Sequence, residues 1–186
     1  MILLTLYNIL TSEEEWNMRE SAPESGVFYL FENSSVFIKL INRFTALHGV
    51  GFRALVEDVL LNNSGVQTLY LDLSEAQYLD STFMGTLVHV KNKSDELEKN
   101  FKVVNPSKEV LENLKSLGLE KILKIEDREE TFKKSRMKEF PCYSAQKNQI
   151  FRSILKSHIL LSNINKDNKK EFCSLLKRLK KESRNR

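Results

Sequence analysis

The stretch TLYLDLSEAQYLDSTFMG, residues 68–85, joins a short apolar run to a polar segment and then to the start of a helical pattern. Residues 69–73 are apolar except for Asp72, and such a run is typical of a central strand covered on both faces. The end of the stretch opens a segment in which apolar residues recur at helical spacing. Asp80 and Ser81 therefore lie where a strand gives way to a helix. In a sheet covered by helices, this is the end at which ligands and partners bind.

The same stretch resembles the core of the STAS domain, the family of bacterial anti-sigma factor antagonists and of the cytoplasmic domains of sulfate transporters. That family has an apolar strand, a short loop and then Asp-Ser-Ser/Thr-Gly-x-Gly at the start of a helix. This chain has DSTFMG at residues 80–85, with Phe83 in place of the first glycine. A second segment, FKVVNPSKEVLENLKSLGLEKILKIED at residues 101–127, resembles the strand–helix–strand end of the same domain. The resemblance covers roughly residues 68–127, in the right order.

The order of the elements predicts an α/β fold with a STAS-like mixed sheet of four to five strands, helices, and a C-terminal helical extension. The sheet is expected to be mixed because a hairpin at the front precedes the strand–helix–strand units. A helix is expected to begin at Asn105-Pro106, with Asn105 as its cap. The predicted elements are strands at 27–31, 36–41, 68–73, 101–104 and 122–125, and helices at 43–61, 81–98 and 105–117.

The net charge of +4 hides an asymmetry along the 186 residues. Residues 143–186 hold 12 Lys and Arg against 3 Asp and Glu, whereas the rest of the chain holds 17 against 22. This shift predicts an acidic globular domain followed by a basic extension. The expected parts are a leader and linker at 1–26, a STAS domain at 27–136 and a basic helical extension at 137–186.

The basic extension contains two apolar stripes at helical spacing, at residues 150–159 and 172–179. They predict two amphipathic helices that pack on the acidic domain or on a second copy of the chain, so that a homodimer is one expected partner. A basic amphipathic helix also suits a membrane surface or nucleic acid. Phe151 and Phe172 lie on the apolar stripes and not among the basic residues, so nucleic acid is not an expected partner.

Several classes of protein are not expected. No run of eighteen apolar residues exists, so no transmembrane segment is predicted. Two widely spaced cysteines, Cys142 and Cys173, indicate reduced thiols and a cytoplasmic protein. The three histidines, His48, His89 and His158, have no companion at metal-ligand spacing, and no glycine-rich phosphate loop occurs. No metal and no organic cofactor is therefore predicted.

The chain is also not expected to be an enzyme. A Ser-His-Asp set can be assembled on paper from Ser81, His89 and Asp80. His89, however, lies about two turns further along the predicted helix and cannot easily reach back to Ser81. Neither a nucleophile elbow nor a zinc-protease helix occurs in the sequence.

The resemblance implies that Ser81 is phosphorylated by a partner that is both a serine kinase and the anti-sigma factor. A helix N-terminus suits this role, because free amides and the positive end of the dipole stabilise the new anion. Thr82 is the second candidate acceptor. Asp80, Ser81, Thr82, Phe83 and Met84 are the predicted partner-binding residues, and Phe83 is expected to make that surface bulkier. The alternative for Asp80 and Ser81 is that they only cap the helix.

The function implied is a non-enzymatic regulator that resembles an anti-sigma factor antagonist, binds the anti-sigma kinase and is switched at Ser81. The alternative is a STAS-fold scaffold or a dimerising interaction protein that lacks the switch. Asp72, an acid inside an apolar strand, is expected to reach solvent or a backbone amide.

Overall fold

The computed structural model describes residues 25–129, 133–141 and 145–184. The predicted leader, up to position 24, and Cys142 lie outside the described residues. The strands in the described part are β1 (Gly26–Glu32), β2 (Ser35–Phe44), β3 (Thr68–Leu79), β4 (Asn100–Val104), β5 (Lys124–Glu126) and β6 (Lys138–Phe140). The α-helices there are α1 (Ala46–Asn62), α2 (Ser81–Glu96), α3 (Lys108–Ser116), α4 (Lys147–Ser162) and α5 (Lys166–Arg184).

The strands form one mixed sheet in the order β5-β4-β3-β2-β1-β6. Strands β2 to β5 run parallel to one another, and β1 is antiparallel to both β2 and β6. The prediction of a mixed α/β sheet is confirmed. The sheet has six strands where four to five were expected, because the short β6 pairs with Val27–Tyr29 at the free edge of β1.

Strand β3 is longer than the sequence predicts. Its expected end is residue 73, but it continues to Leu79 because Ala76 and Leu79 are buried and β2 runs beside it throughout. Two register shifts accommodate this pairing, which extends β2 to Phe44. As a result, α1 begins at Ala46, three residues later than expected.

The start of α3 also differs from the prediction. Ser107 caps this helix by accepting a hydrogen bond from the Val110 amide at 3.3 Å. Asn105 has a φ of 51°, and its side-chain oxygen accepts from the Arg128 amide at 2.7 Å. The prediction of Asn105 as the cap is wrong, because its side chain holds the chain that follows β5. The ends of β1, β4, β5 and α2 differ from the predicted ends by at most two residues.

Helices α1, α2 and α3 lie on one face of the sheet. Each joins neighbouring parallel strands and moves in the same direction along the sheet, and such crossovers are almost always right-handed. The strand residues that face these helices are fully buried. On β2 and β3 they are Val36, Ile38, Leu40, Leu69, Leu71 and Leu73.

Residues on both sides of the undescribed positions 130–132 lie on the opposite face of the sheet. The Arg128 guanidinium lies 4.4 Å from the centre of the Tyr70 ring, and Lys134 Nζ lies 4.2 Å from the centre of the Phe28 ring. Cations over aromatic rings therefore cover this face, and the helices cover the other.

Helices α4 and α5 form an antiparallel pair, called here the α4–α5 hairpin, which packs on α2 and α1 on the side away from the sheet. The prediction of two amphipathic helices is confirmed, and their apolar stripes pack within the chain. The buried apolar residues of the hairpin are Ile150, Phe151, Ile154, Leu161, Phe172, Leu175 and Leu179. No helix in the described part of the chain is both long and apolar enough to cross a membrane.

Candidate functional site

Asp80 links the first turns of two helices at the junction of β3 and α2. Its Oδ1 accepts a hydrogen bond from the Phe83 amide at 2.7 Å, and its Oδ2 accepts one from the Ala46 amide at 2.9 Å. The Asp80 amide in turn donates to the Phe44 carbonyl at 3.0 Å. One carboxylate thus satisfies amides at the N-termini of both α1 and α2, where a negative charge is favoured.

Burial raises the pKa of Asp80 to about 6, although hydrogen bonds from the Phe83, Ala46 and Thr82 amides act in the opposite direction. The site therefore already holds an anion at neutral pH. A phosphate on the neighbouring Ser81 would share the helix N-terminus with this anion and would find the Phe83 amide occupied.

Ser81 is the first residue of α2, and 9% of it is exposed. Its Oγ lies 3.1 Å from Nε2 of His158, a fully buried residue of α4. Nδ1 of His158 lies 2.8 Å from the Ile154 carbonyl, and this carbonyl can only accept. The imidazole proton therefore sits on Nδ1, and the Ser81 hydroxyl donates to Nε2.

The environment of His158 keeps its ring neutral. Burial lowers the pKa of His158, and the hydrogen bond to Ile154 only partly opposes this effect. The Phe172 ring of α5 meets the imidazole edge to face, with ring centres 5.1 Å apart. Two elements of the α4–α5 hairpin thus hold the imidazole against Ser81.

The histidine beside Ser81 is His158, and the expectation that His89 cannot reach Ser81 agrees with the structure. His89 lies away from Ser81, and its Nε2 is 2.8 Å from Glu57 Oε1 of α1. Sequence reasoning placed His158 on the apolar stripe of the extension and assigned it no role. No group of three His, Cys, Asp or Glu side chains is arranged to hold a metal ion in the residues that the structure describes.

The residues that follow Ser81 point inward. Thr82 is fully buried, and its Oγ1 has no hydrogen-bond partner among the described residues. Phe83 is also fully buried, between the rings of Phe44 and Phe52 at centre-to-centre distances of 5.0 and 5.1 Å. The interpretation of Phe83 as a bulky surface residue is wrong, because its ring fills the core between β2 and α1. Met84 is likewise buried.

Helices α2 and α4 cross in close contact at Gly85. A Cβ at this position would lie 2.6 Å from Ser157 Cβ and 2.7 Å from the Ser157 carbonyl oxygen, closer than real Cβ atoms approach. Ser153, one turn before Ser157, faces α1, where its Oγ would lie 3.5 Å from a Cβ at Gly49. Small residues on both sides therefore allow α4 to lie directly on α2 and α1.

Asp72 belongs to a separate cluster on the other face of the sheet. Its Oδ2 lies 3.1 Å from Lys39 Nζ, and its Oδ1 accepts from the Ser74 amide at 2.9 Å. The expected contact with a backbone amide is confirmed. Burial opposes the charge on Lys39, but hydrogen bonds to Glu75 and Asp72 outweigh it and raise the pKa of Lys39.

The family comparison concerns the part of the chain before the α4–α5 hairpin. Residues 21–132, more than half of the chain, match the family model described as STAS domain. No curated protein sequence matches the chain significantly.

Two solved structures are similar to the described fold. A putative anti-sigma factor antagonist from Thermotoga maritima is 24% identical, and the match covers 54% of this chain and 86% of that one, with a TM-score of 0.50. An anti-sigma factor antagonist from Mycobacterium paratuberculosis is 18% identical, with 56% and 88% covered and a TM-score of 0.50. At these identities the likeness shows the fold.

Proposed function

The chain belongs to the STAS domain family, and on this premise we propose that it is a regulatory protein of the anti-sigma factor antagonist type. It acts without catalysing a reaction of its own. Its partner is an anti-sigma factor that is also a serine kinase. The partner binds while Ser81 carries a free hydroxyl and dissociates once Ser81 is phosphorylated.

The observation that carries this proposal is the position of Ser81. Its hydroxyl lies in the first turn of α2, directly after the cap Asp80, on the side of α2 that faces away from the sheet. Ser81 is the first residue of α2 on that side, which is covered by α4 in this structure. Asp80 and Met84 belong to the same proposed surface, and Thr82 and Phe83 support it from beneath.

The charge at this site explains how phosphorylation would end binding. A phosphate adds about 1.5 to 2 negative charges at neutral pH. They would stand beside the Asp80 carboxylate, whose hydrogen bonds to Phe83 and Ala46 fix it in place. A partner surface packed there would have to bury the phosphate beside a second negative charge and without a counter-charge, which is strongly unfavourable.

A second candidate function is a STAS-fold interaction protein without a switch. The hydrogen bond between Ser81 and His158 favours it, because it gives the hydroxyl a structural role inside the chain. A homodimer through the C-terminal helices belongs to this candidate. The apolar stripes of those helices are buried within the chain, so such a dimer would exchange the α4–α5 hairpin between copies or use the basic faces.

The test is recovery of the partner from the native cell with the tagged full chain, followed by mass spectrometry of residues 80–85. We expect phosphate on Ser81 in the free fraction and an unmodified hydroxyl in the fraction bound to the kinase. Ser81→Ala should retain the partner constitutively, and Ser81→Asp should release it in part, because a carboxylate has less charge and fewer oxygens than a phosphate.

Thr82→Ala is the matched control, since it removes the neighbouring hydroxyl, which is fully buried. It should leave regulation intact. If Ser81→Ala, Ser81→Asp and wild type bind the partner equally, and Ser81 never carries phosphate, the switch is refuted and the interaction protein without a switch is retained.

A further inference from the structure

We infer that the α4–α5 hairpin is an intramolecular cover of the Ser81 surface, an inference that rests on the proposed function. The kinase and the binding partner reach Ser81 only after the hairpin has left α2. The structure is therefore the closed form of the protein.

The cover is a direct contact at the reacting atom. The Ser81 Oγ and the His158 Nε2 are 3.1 Å apart, a hydrogen-bond distance that leaves no space between them for a phosphorus atom with three oxygens. His158 is fully buried, and Phe172 packs against its ring. The imidazole cannot move aside alone, so access to Ser81 requires the displacement of α4.

Phosphorylation needs this displacement for chemical reasons as well. With ATP as co-reactant, a bond forms between the Ser81 Oγ and the γ-phosphorus while the bond from that phosphorus to the bridging oxygen breaks, and ADP leaves. The hydroxyl proton must pass to a base of the kinase. In the closed form this proton is donated to His158, and α4 occupies the space from which ATP would approach.

The contact that α4 makes with α2 and α1 has features expected of two surfaces that can separate. Two buried hydroxyl oxygens of α4, on Ser153 and Ser157, have no hydrogen-bond partner among the described residues. Water would satisfy them once the hairpin leaves, so docking has a cost that an apolar contact lacks. At the point where α2 and α4 cross, Gly85 lies against the backbone of Ser157, and no large side chain lies between them.

The hairpin is also an addition to the matched domain. Residues 21–132 account for the STAS match, whereas the hairpin begins at Lys147. The apolar and polar residues that α4 uses on α2 therefore belong to a segment outside the part that the family model describes.

The first arm of the experiment uses hydrogen exchange of the purified full chain. Gly85→Ala places a Cβ within 2.8 Å of three backbone or Cβ atoms of Ser157, so the hairpin cannot dock, while alanine favours the helical state of α2 itself. Amphipathic helices of this length are marginal alone in water, so release should lower the protection of α4 and α5 by at least about tenfold. The protection of β2, β3 and β4 should be unchanged.

Two further variants make the result specific. Ile154→Asp places a charge in the buried side of α4 and should release the hairpin without any change in α2. Gly65→Ala is the matched control, because a Cβ there meets nothing within 4 Å, and it should exchange like the wild type. The inference is overturned if α4 in the wild type exchanges as fast as in Gly85→Ala and Ile154→Asp.

The second arm measures the fraction of Ser81 phosphorylated in the native cell for the same variants. We expect this fraction to rise several-fold in Gly85→Ala and Ile154→Asp relative to wild type and Gly65→Ala. Equal phosphorylation in all four overturns the cover and retains the proposed switch. A released hairpin whose Ser81 never carries phosphate refutes the switch, and with it the cover, so the two failures are distinguishable.

Discussion

The two sides of α2 are built from different chemistry. On the side of the core, Phe83 lies between the rings of Phe44 and Phe52 and is fully buried. On the side of the α4–α5 hairpin, Ser81 and Gly85 meet His158 and Ser157 through one hydrogen bond and one close backbone contact. Both sides exclude solvent, and apolar residues such as Ile154 also contribute on the hairpin side, but only the hairpin side includes a buried serine–histidine contact.

This difference shows that two contacts of α2 that are equally buried need not be equally stable. Burial of an aromatic side chain stabilises a fold by about 1.5–3 kcal/mol, with about 0.5–1.5 kcal/mol more for each ring pair. A buried hydroxyl without a partner costs about 1–3 kcal/mol. The contacts on the core side of α2 therefore stabilise the domain. On the hairpin side, the cost of hydroxyls without partners offsets part of the free energy gained by burial.

The largest effect is expected at the core side. Phe83→Ala should lower the free energy of unfolding of the whole domain by roughly 3–5 kcal/mol, because it leaves a cavity between Phe44 and Phe52. Urea unfolding followed by circular dichroism measures this change. Leu61→Ala, at a residue that is 56% exposed, is the control and should change the free energy by less than about 0.5 kcal/mol. A loss of only hairpin protection in Phe83→Ala would break the comparison.

An intermediate effect is expected from pH at the hairpin side. The pKa of His158 is lowered by burial, so the docked hairpin favours the neutral ring. The contribution of the buried neutral His158 ring to hairpin docking is present above the ordinary pKa of 6.5 and is lost as pH falls below that value. Hydrogen exchange of α4, corrected for intrinsic rates, should be faster at pH 5.5 than at pH 7.5, and His158→Gln should remove most of this difference.

The pH dependence of stability expected from Asp80 has the opposite sign to that expected from His158. Its pKa is raised by burial to about 6, so its contribution is fully present below the ordinary value of 3.8 and is lost as pH rises through 6. Acidification therefore weakens docking through His158 but favours the junction of α1 and α2 through Asp80. Equal loss of protection in α4 and in the sheet at pH 5.5 would contradict this separation.

The smallest effect is expected from the buried hydroxyls. Ser153→Ala and Ser157→Ala should leave hairpin docking unchanged or strengthen it by roughly 1 kcal/mol, because each removes an oxygen without a partner. Ser162→Ala is the control, since its hydroxyl donates to the Ile159 carbonyl at 2.8 Å, and it should weaken docking slightly. Hydrogen exchange of α4 measures all three. Marked weakening by Ser157→Ala would show that this hydroxyl is satisfied in solution.

Much of the fold could be predicted from the sequence because local patterns determine it. The apolar run of β2, the cap at Asp80 and the apolar stripes of α4 and α5 can all be read from short local patterns. Strand β6 could not be predicted, because Lys138–Phe140 is short and its pairing with β1 comes from a distant part of the chain. The continuation of β3 past Ser74 could not be predicted, because polar residues that face away from the core interrupt its apolar run.

Half of the candidate site could be predicted in the same way. Asp80 and Ser81 stand at a recognisable strand-to-helix junction, and the cap at Asp80 is confirmed by its hydrogen bonds. The contact with His158 spans 77 positions of the chain, and on α4 this residue looks like one more member of an apolar stripe. Only packing of the hairpin onto α2 reveals which side chain it faces.

The contact between Ser81 and His158 also has a thermodynamic consequence. If a docked hairpin lowers the affinity of Ser81 for phosphate by a given factor, linkage requires that a phosphate on Ser81 lower the docking equilibrium by the same factor. If docking made the phosphorylation equilibrium at Ser81 tenfold less favourable, a phosphate on Ser81 would make docking tenfold less favourable. The position of the α4–α5 hairpin would then report the modification, because the form in which the basic helix α5 has left α2 would be more populated in the phosphorylated protein.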